Sequence, residues 1–245
     1  MSLLDIYSLP LFYISLKKKT KLENELNAAG FKDITMFNAV KGSEMDPTTL
    51  RKDNIISVRS YNDLITERQQ QSGIPSLGAI GCSFSHYFLW KKCVEDNLDY
   101  ITIVEDDINV QGSLSALDET NIRTVLSKDK GLFISPLYQP VKEPLYEFMG
   151  THFYIASNSA CKEMIKHMFP IDVQVDSYMA NLKQLGYINL EGYPIYGQNL
   201  RYSGIQDLCL TCYIKNNNYQ KFFTIFLLLY FLLSIFYYGW KLVRA

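Results

Sequence analysis

Residues 77–109, LGAIGCSFSHYFLWKKCVEDNLDYITIVEDDIN, run a glycine-bearing helix into an apolar strand that ends on three consecutive carboxylates. The helix is expected to begin at Gly81 or Ser83 and to run to about Asp96. Its Phe84/Phe88, Leu89/Cys93 and Trp90/Val94 pairs at four-residue spacing predict broad burial. Tyr100 to Val104 then reads as a strand, and Glu105, Asp106 and Asp107 crowd like charges at its mouth. A divalent ion or a donor-rich ligand makes such crowding tolerable. The ion expected is Mg²⁺ or Mn²⁺ rather than zinc, because no Cys/His set is read nearby at ligand spacing. Alternate residues of an extended segment face opposite sides, so Glu105 and Asp107 share one side and Asp106 turns partly into the structure. Taken alone, the triplet also reads as a solvated acidic turn.

Working outward, Leu11 to Leu16 is a short run rich in β-formers, and Thr20-Lys21-Leu22-Glu23 has the form of a capping box opening a helix. Leu22, Leu26 and Ala29 line one face of that helix. Gly30 sits where a left-handed cap is wanted, and Ile34 to Phe37 supplies the next strand. Strand, helix and strand in so short a span predict a parallel pair. Asp46-Pro47 reads as an N-cap and first helical position, and the Gln69-Gln70-Gln71-Ser72-Gly73 stretch as loop. Leu132 to Ser135 and His152 to Ala156 read as strands, and Ser159 to Met168 as a helix.

Gly78, Gly81, Cys82, Ser85 and His86, followed after a short helix by Glu105, Asp106, Asp107 and Ile108, resemble in order and spacing the core of glycosyltransferase family 25 proteins. That family includes bacterial lipooligosaccharide and collagen galactosyltransferases. Segments 150–165, 170–179 and 193–206 resemble its later elements, with Gln198, Ser203 and Ile205 in place. Gly204 departs from the acidic residue expected beside that Ser. The resemblance implies one α/β domain, a GT-A-type Rossmann-like α/β/α sandwich over residues 1–210 holding a nucleotide-sugar. It implies transfer of a hexose such as galactose or glucose from a nucleoside diphosphate sugar to a glycan, lipid-linked or protein acceptor, with inversion and metal dependence, and so a link to lipopolysaccharide biosynthesis.

Roles follow on that reading. Asp107 coordinates Mn²⁺ or Mg²⁺, Glu105 serves the metal or the donor ribose, and His152 is a third ligand. Asp106 joins the donor-binding set, as do Ser15, Leu16 and Lys17, which follow the first strand at the carboxyl edge of the sheet. Gly78 and Gly81 let backbone approach the pyrophosphate, with the helix N-terminus near Ser83 turned toward an anion. Ser85 and His86 orient the donor or hydrogen-bond the acidic strand. The general base is Asp176, with Asp172 as runner-up, although an N-cap aspartate looks the same in sequence. Cys209 and Cys212 have redox spacing without the surrounding pattern of a redox domain, so palmitoylation or burial is the reading.

The 245 residues, 48% hydrophobic, suit a single core. A net charge of −1 with mixed signs gives no footprint for nucleic acid. Five cysteines, an odd count, read as reduced thiols. Residues 222–240 carry no charge and as a helix would span roughly 28 Å, the thickness of a bilayer core. Lys221, Lys241 and Arg244 flank the segment, and Tyr237, Tyr238 and Trp240 form an aromatic belt. A C-terminal transmembrane helix is therefore expected. With no basic region opening the chain and no glycosylation sequon, a tail anchor with a cytosolic catalytic domain follows, in a setting that suits a large DNA virus and a host or virion membrane. A membrane-anchored binding or scaffold protein that keeps the fold without turnover is the alternative.

Overall fold

Every residue of β1 (Leu11–Ser15) is buried, which puts this apolar run in a sheet covered on both faces. The computed structural model describes residues 4–66, 73–136 and 150–198, which fall within one compact unit. After β1 come α1 (Thr20–Ala28), β2 (Ile34–Asn38), α2 (Pro47–Lys52), α3 (Val58–Thr66), α4 (Leu77–Glu95), β3 (Tyr100–Glu105) and β4 (Ile108–Asn109). There follow α5 (Ala116–Leu126), β5 (Gly131–Ile134), β6 (Phe153–Ser157), α6 (Asn158–His167), α7 (Val175–Gln184), β7 (Asn189–Gly192) and β8 (Gly197–Gln198).

The main sheet has the order β2-β1-β3-β6-β5-β7. β1 runs parallel to β2 and β3, and β5 parallel to β7, whereas β6 is antiparallel to both β3 and β5. The fold is thus mixed α/β rather than all-parallel. Reversing β6 has a local result: Phe153 pairs with Val104, so the residues just before β6 lie beside the carboxyl end of β3. A separate two-stranded ladder pairs Ile108 with Gln198.

Alternation along the strands feeds two cores. Ile101, Ile103, Tyr154 and Ala156 pack with Leu89, Trp90 and Cys93 of α4, Met164 of α6 and Met179 of α7. Val104, Phe153 and Ile155 pack with Leu22 and Leu26 of α1 and with Ile122 and Val125 of α5. The expected layering of helices on both faces is what the structure has.

Several boundaries differ from expectation for identifiable reasons. Thr20 is already inside α1 and Lys19 is the cap residue without a side-chain bond, so the capping box does not form. Gly30, at φ +109°, does take the left-handed position. Asp46 accepts from the N–H groups of Thr48 and Thr49 with Pro47 at the start of α2, as read from sequence. α4 begins at Leu77, because Ser76 caps it by accepting from the Ala79 N–H. Its buried stripe carries Ala79, Ile80, Ser83, His86, Leu89, Trp90 and Cys93, and Phe88 is 42% exposed. Segment 222–240, Cys209, Cys212 and the 203–205 element lie outside the described residues, as does most of the glutamine-rich loop. Among the described residues no helix is long and apolar enough to cross a membrane.

The first turns of α4 press on the 40–42 segment at van der Waals limit. A Cβ at Gly42 would lie 1.7 Å from the Leu77 carbonyl oxygen, and one at Gly81 2.4 Å from that of Val40. Both obstacles are backbone, which cannot swing aside. Gly42→Ala is expected to destabilise the fold by about 1–3 kcal/mol or more, read as a lower midpoint in denaturant melts; an unchanged midpoint would show that the contact is not as tight as described.

Candidate functional site

The strand β3 delivers Glu105 to the carboxyl edge of the sheet, and two elements supply its donors. His86, on the sheet-facing stripe of α4, brings Nε2 to 3.2 Å from Glu105 Oε1. The Thr151 hydroxyl, just before β6, donates to the same oxygen. Burial would raise the Glu105 carboxyl, yet the interactions with His86, Thr151 and His152 together outweigh it and hold the group below its ordinary value. The expectation that His86 hydrogen-bonds the acidic strand is met. Thr151 carried no signal in the sequence, because its role arises from the reversed pairing of β6.

Asp106 and Asp107 follow in a turn and diverge. Asp106 lies against the end of β1, where the Ser15 hydroxyl reaches Oδ2 at 2.5 Å and Lys19 Nζ stands 3.3 Å from it. The structure therefore joins Ser15 and Asp106, two of the expected donor-binding residues, with Lys19 as the neighbouring cation. Ser15 is buried while Leu16 is 62% exposed, and Lys17 offers its backbone carbonyl to the Ser15 hydroxyl. Asp107 instead accepts from Gln198 Nε2 at 2.9 Å. Its Oδ1 is buried and has no partner among the described residues, and the same holds for Gln198 Oε1. Burial, then the charges of Glu105 and Asp106, push the Asp107 carboxyl up to about 7.

Asp176, in the first turn of α7, accepts from the Gly150 N–H at 3.1 Å and from the Ser177 N–H at 2.7 Å. Burial still raises it above the ordinary carboxylate range, and Glu105 adds to the effect. Cys82 ties the set together. After burial, the charges of Glu105, Asp176 and Asp107 push its thiol well up, so all three carboxylates act on one place.

Some expected residues are elsewhere. Asp172 is bound by the Ser57 hydroxyl and stands 3.5 Å from Arg59 Nη1, away from the donors that hold Asp176. Gly78 and Gly81 lie within α4 rather than in a loop, and Gly81 serves the close approach to Val40 and Gly42. No helix N-terminus exists at Ser83. Ser85 is buried, donates to the Gly81 carbonyl and accepts from the Val40 N–H, which makes it a brace for that contact rather than a donor ligand. His152 holds Nε2 at 2.9 Å from the Tyr196 carbonyl, and its Nδ1 is buried with no partner among the described residues. Burial lowers its pKa. Glu105, Asp107 and His152 do not close to metal-ligand spacing. The group among the described residues that does is Cys82, His86 and Glu105, with ligand atoms within 4.8 Å of one another. A Cys/His set thus stands beside the acidic strand after all, since Cys82 and His86 are four apart on α4. Cys82, Cys93 and Cys161 are free thiols, as expected.

Residues 8–179 match the family model described as Glycosyltransferase family 25 (LPS biosynthesis protein). The chain is 28% identical over 154 residues to the lipooligosaccharide biosynthesis protein lex-1 of Haemophilus influenzae, covering 53% of this chain and 50% of that protein. It is 30% identical over 95 residues to a glycosyltransferase 25 family member of Aedes aegypti, covering 39% and 15%. To human procollagen galactosyltransferase 2 it is 25% identical over 104 residues, covering 41% and 16%. The chain thus spans half or less of the length of these relatives. Mouse xyloside xylosyltransferase 1, in its apo form, aligns with 76% of this chain and 71% of its own at a TM-score of 0.36 and 11% identity.

The Asp107 carboxyl gives a pH dependence of stability in protein kept metal-free with EDTA. Between the ordinary 3.8 and about 7 the folded state holds a proton there that the unfolded chain has released. That contribution to stability therefore falls as pH rises through this window and is flat above it. Asp107→Asn is expected to gain on the order of 1–3 kcal/mol relative to wild type on going from pH 4 to pH 8, measured by chemical unfolding. An equal difference at both pH values would show that Asp107 ionises normally.

Proposed function

We propose, from the premise that this chain belongs to glycosyltransferase family 25, that it transfers a hexosyl group from a nucleoside diphosphate sugar to a hydroxyl of a glycan, lipid-linked sugar or protein. On this reading the mixed α/β sheet is of the GT-A type. The observation that carries the proposal is the acidic set at the carboxyl edge of β3, with Asp107 raised to about 7 and its Oδ1 without a donor among the described residues.

A divalent ion of the Mn²⁺ or Mg²⁺ kind fits this donor set. The buried atoms at Asp107 and Gln198 that have no partner among the described residues are oxygen acceptors, and the like charges of Glu105 and Asp106 on Asp107 are what a cation relieves. Asp107 and Glu105 would hold it, and when bound it neutralises charge on the departing diphosphate. The chain's own residues do the rest. The Ser15, Asp106 and Lys19 corner receives the donor. Asp176 takes the proton from the acceptor hydroxyl as its oxygen bonds to the anomeric carbon and the bond to the diphosphate breaks, a single displacement with inversion. Burial that raises this carboxyl above the ordinary carboxylate range makes it a stronger proton acceptor. The uncharged segment 222–240 supports tethering to a membrane, which recovery of the full chain in the membrane fraction after a carbonate wash tests.

Calorimetric titration of a nucleotide-sugar panel with and without Mn²⁺, followed by donor turnover, tests the activity. Binding that strengthens with Mn²⁺ is expected, and Asp107→Asn should abolish that strengthening. Asp176→Asn should leave donor binding intact and lower kcat by roughly 10²- to 10⁴-fold. Folded protein that neither binds nor cleaves any nucleotide-sugar would favour the non-catalytic scaffold instead.

A further inference from the structure

A line of buried polar groups runs behind Glu105, into the core rather than toward the sheet edge. Trp90 Nε1 lies 2.8 Å from the Tyr154 hydroxyl oxygen, which lies 2.9 Å from His86 Nδ1. The other ring nitrogen of His86 meets Glu105. Trp90, Tyr154 and His86 have no exposed surface, so no solvent supplies alternative partners. His86 and Trp90 share the stripe of α4 that faces the sheet, four residues apart. Tyr154 comes from β6, opposite Ile103.

Counting donors gives the line a direction. An indole N–H only donates, so the Tyr154 oxygen must accept from Trp90. The phenol has one proton of its own, and His86 Nδ1 is the acceptor within reach. Nδ1 therefore carries a lone pair, the ring proton sits on Nε2, and Nε2–H donates to Glu105. The opposite assignment turns the Nδ1–H and the Trp90 N–H on the same phenol oxygen and leaves the tyrosine proton without an acceptor in a dry core, which costs more. A metal on Cys82, His86 and Glu105 would force that assignment, since it would need the Nε2 lone pair.

We propose that Tyr154, itself oriented by Trp90, is a positioning residue that fixes His86 in the Nε2–H tautomer, so that the imidazole acts as a fixed donor to Glu105 and not as a metal ligand or a base. Glu105 is thereby kept an acceptor, gripped at Oε1 by His86 and Thr151. The tautomer follows from the hydrogen bonding alone, while its value for catalysis rests on the sugar-transfer reading.

Nitrogen-15 NMR of histidine-labelled full-length protein tests this. The chain has three histidines, and His86→Gln assigns the signal by its loss. In wild type, His86 should show a protonated Nε2 and a bare Nδ1. Tyr154→Phe should remove the lock, so that the two tautomers mix, and should lower kcat by roughly 10- to 100-fold. Trp90→Phe leaves the tyrosine proton in place and should keep the wild-type tautomer, which a merely structural role for the cluster would not distinguish. A protonated Nδ1 in wild type overturns the proposal, as does an unaltered spectrum in Tyr154→Phe. If Tyr154→Phe does not fold, the wild-type and Trp90→Phe spectra decide. Absence of turnover in every form, with the tautomers as stated, would count against sugar transfer and leave the assignment standing.

Discussion

The two donors on Glu105 Oε1 are the constraint around which the rest is arranged. A carboxylate at the end of a strand buried on both faces is driven toward its neutral form, and here the interactions with His86, Thr151 and His152 reverse that. One donor comes from α4 and the other from the residue pair before β6. The helix must therefore lie along the sheet with its His86, Trp90 and Cys93 stripe inward, and β6 must run against β3 so that Thr151 arrives beside Glu105. The reversed strand, the close seat of α4 on Gly42 and the buried polar line through Tyr154 are then parts of one requirement.

What could be read in the sequence was what repeats at short range. Spacings of four in the Leu89/Cys93 and Trp90/Val94 pairs pointed to a broadly buried helix, and the apolar run before Glu105 announced a buried strand. Gly81 was read as a close approach to pyrophosphate because a local pattern cannot show its true neighbour, the Val40–Gly42 backbone, some forty residues earlier. Thr151 and Tyr154 were invisible as site residues for the same reason, since each acts through the pairing of β6 with β3. Asp172 and Asp176 looked alike, four residues apart after the same proline. Their partners separate them: Ser57 and Arg59 hold the first, backbone N–H groups of Gly150 and Ser177 the second.

The acidic residues end up with unlike properties because they receive unlike numbers of donors. Glu105 has two on one oxygen and is held low. Asp107 has one, from Gln198, faces the charges of its two neighbours, and is pushed up. Asp176 has two backbone donors that do not offset its burial. Environments that move carboxyl groups apart in this way let one group stay an anion while another sits near neutrality.

That difference also says which of them a ligand changes most. Burying an acceptor without a donor costs roughly 1–3 kcal/mol, and among the described residues Asp107 Oδ1 stands in that position beside two further carboxylates. Since Gln198 already turns its amide N–H to the other oxygen, the strain is concentrated on a single atom at the sheet's edge. A cation reaching that atom lowers the Asp107 carboxyl and relieves the repulsion from Glu105 in one step, so binding there and stability of the folded state are coupled with the same sign.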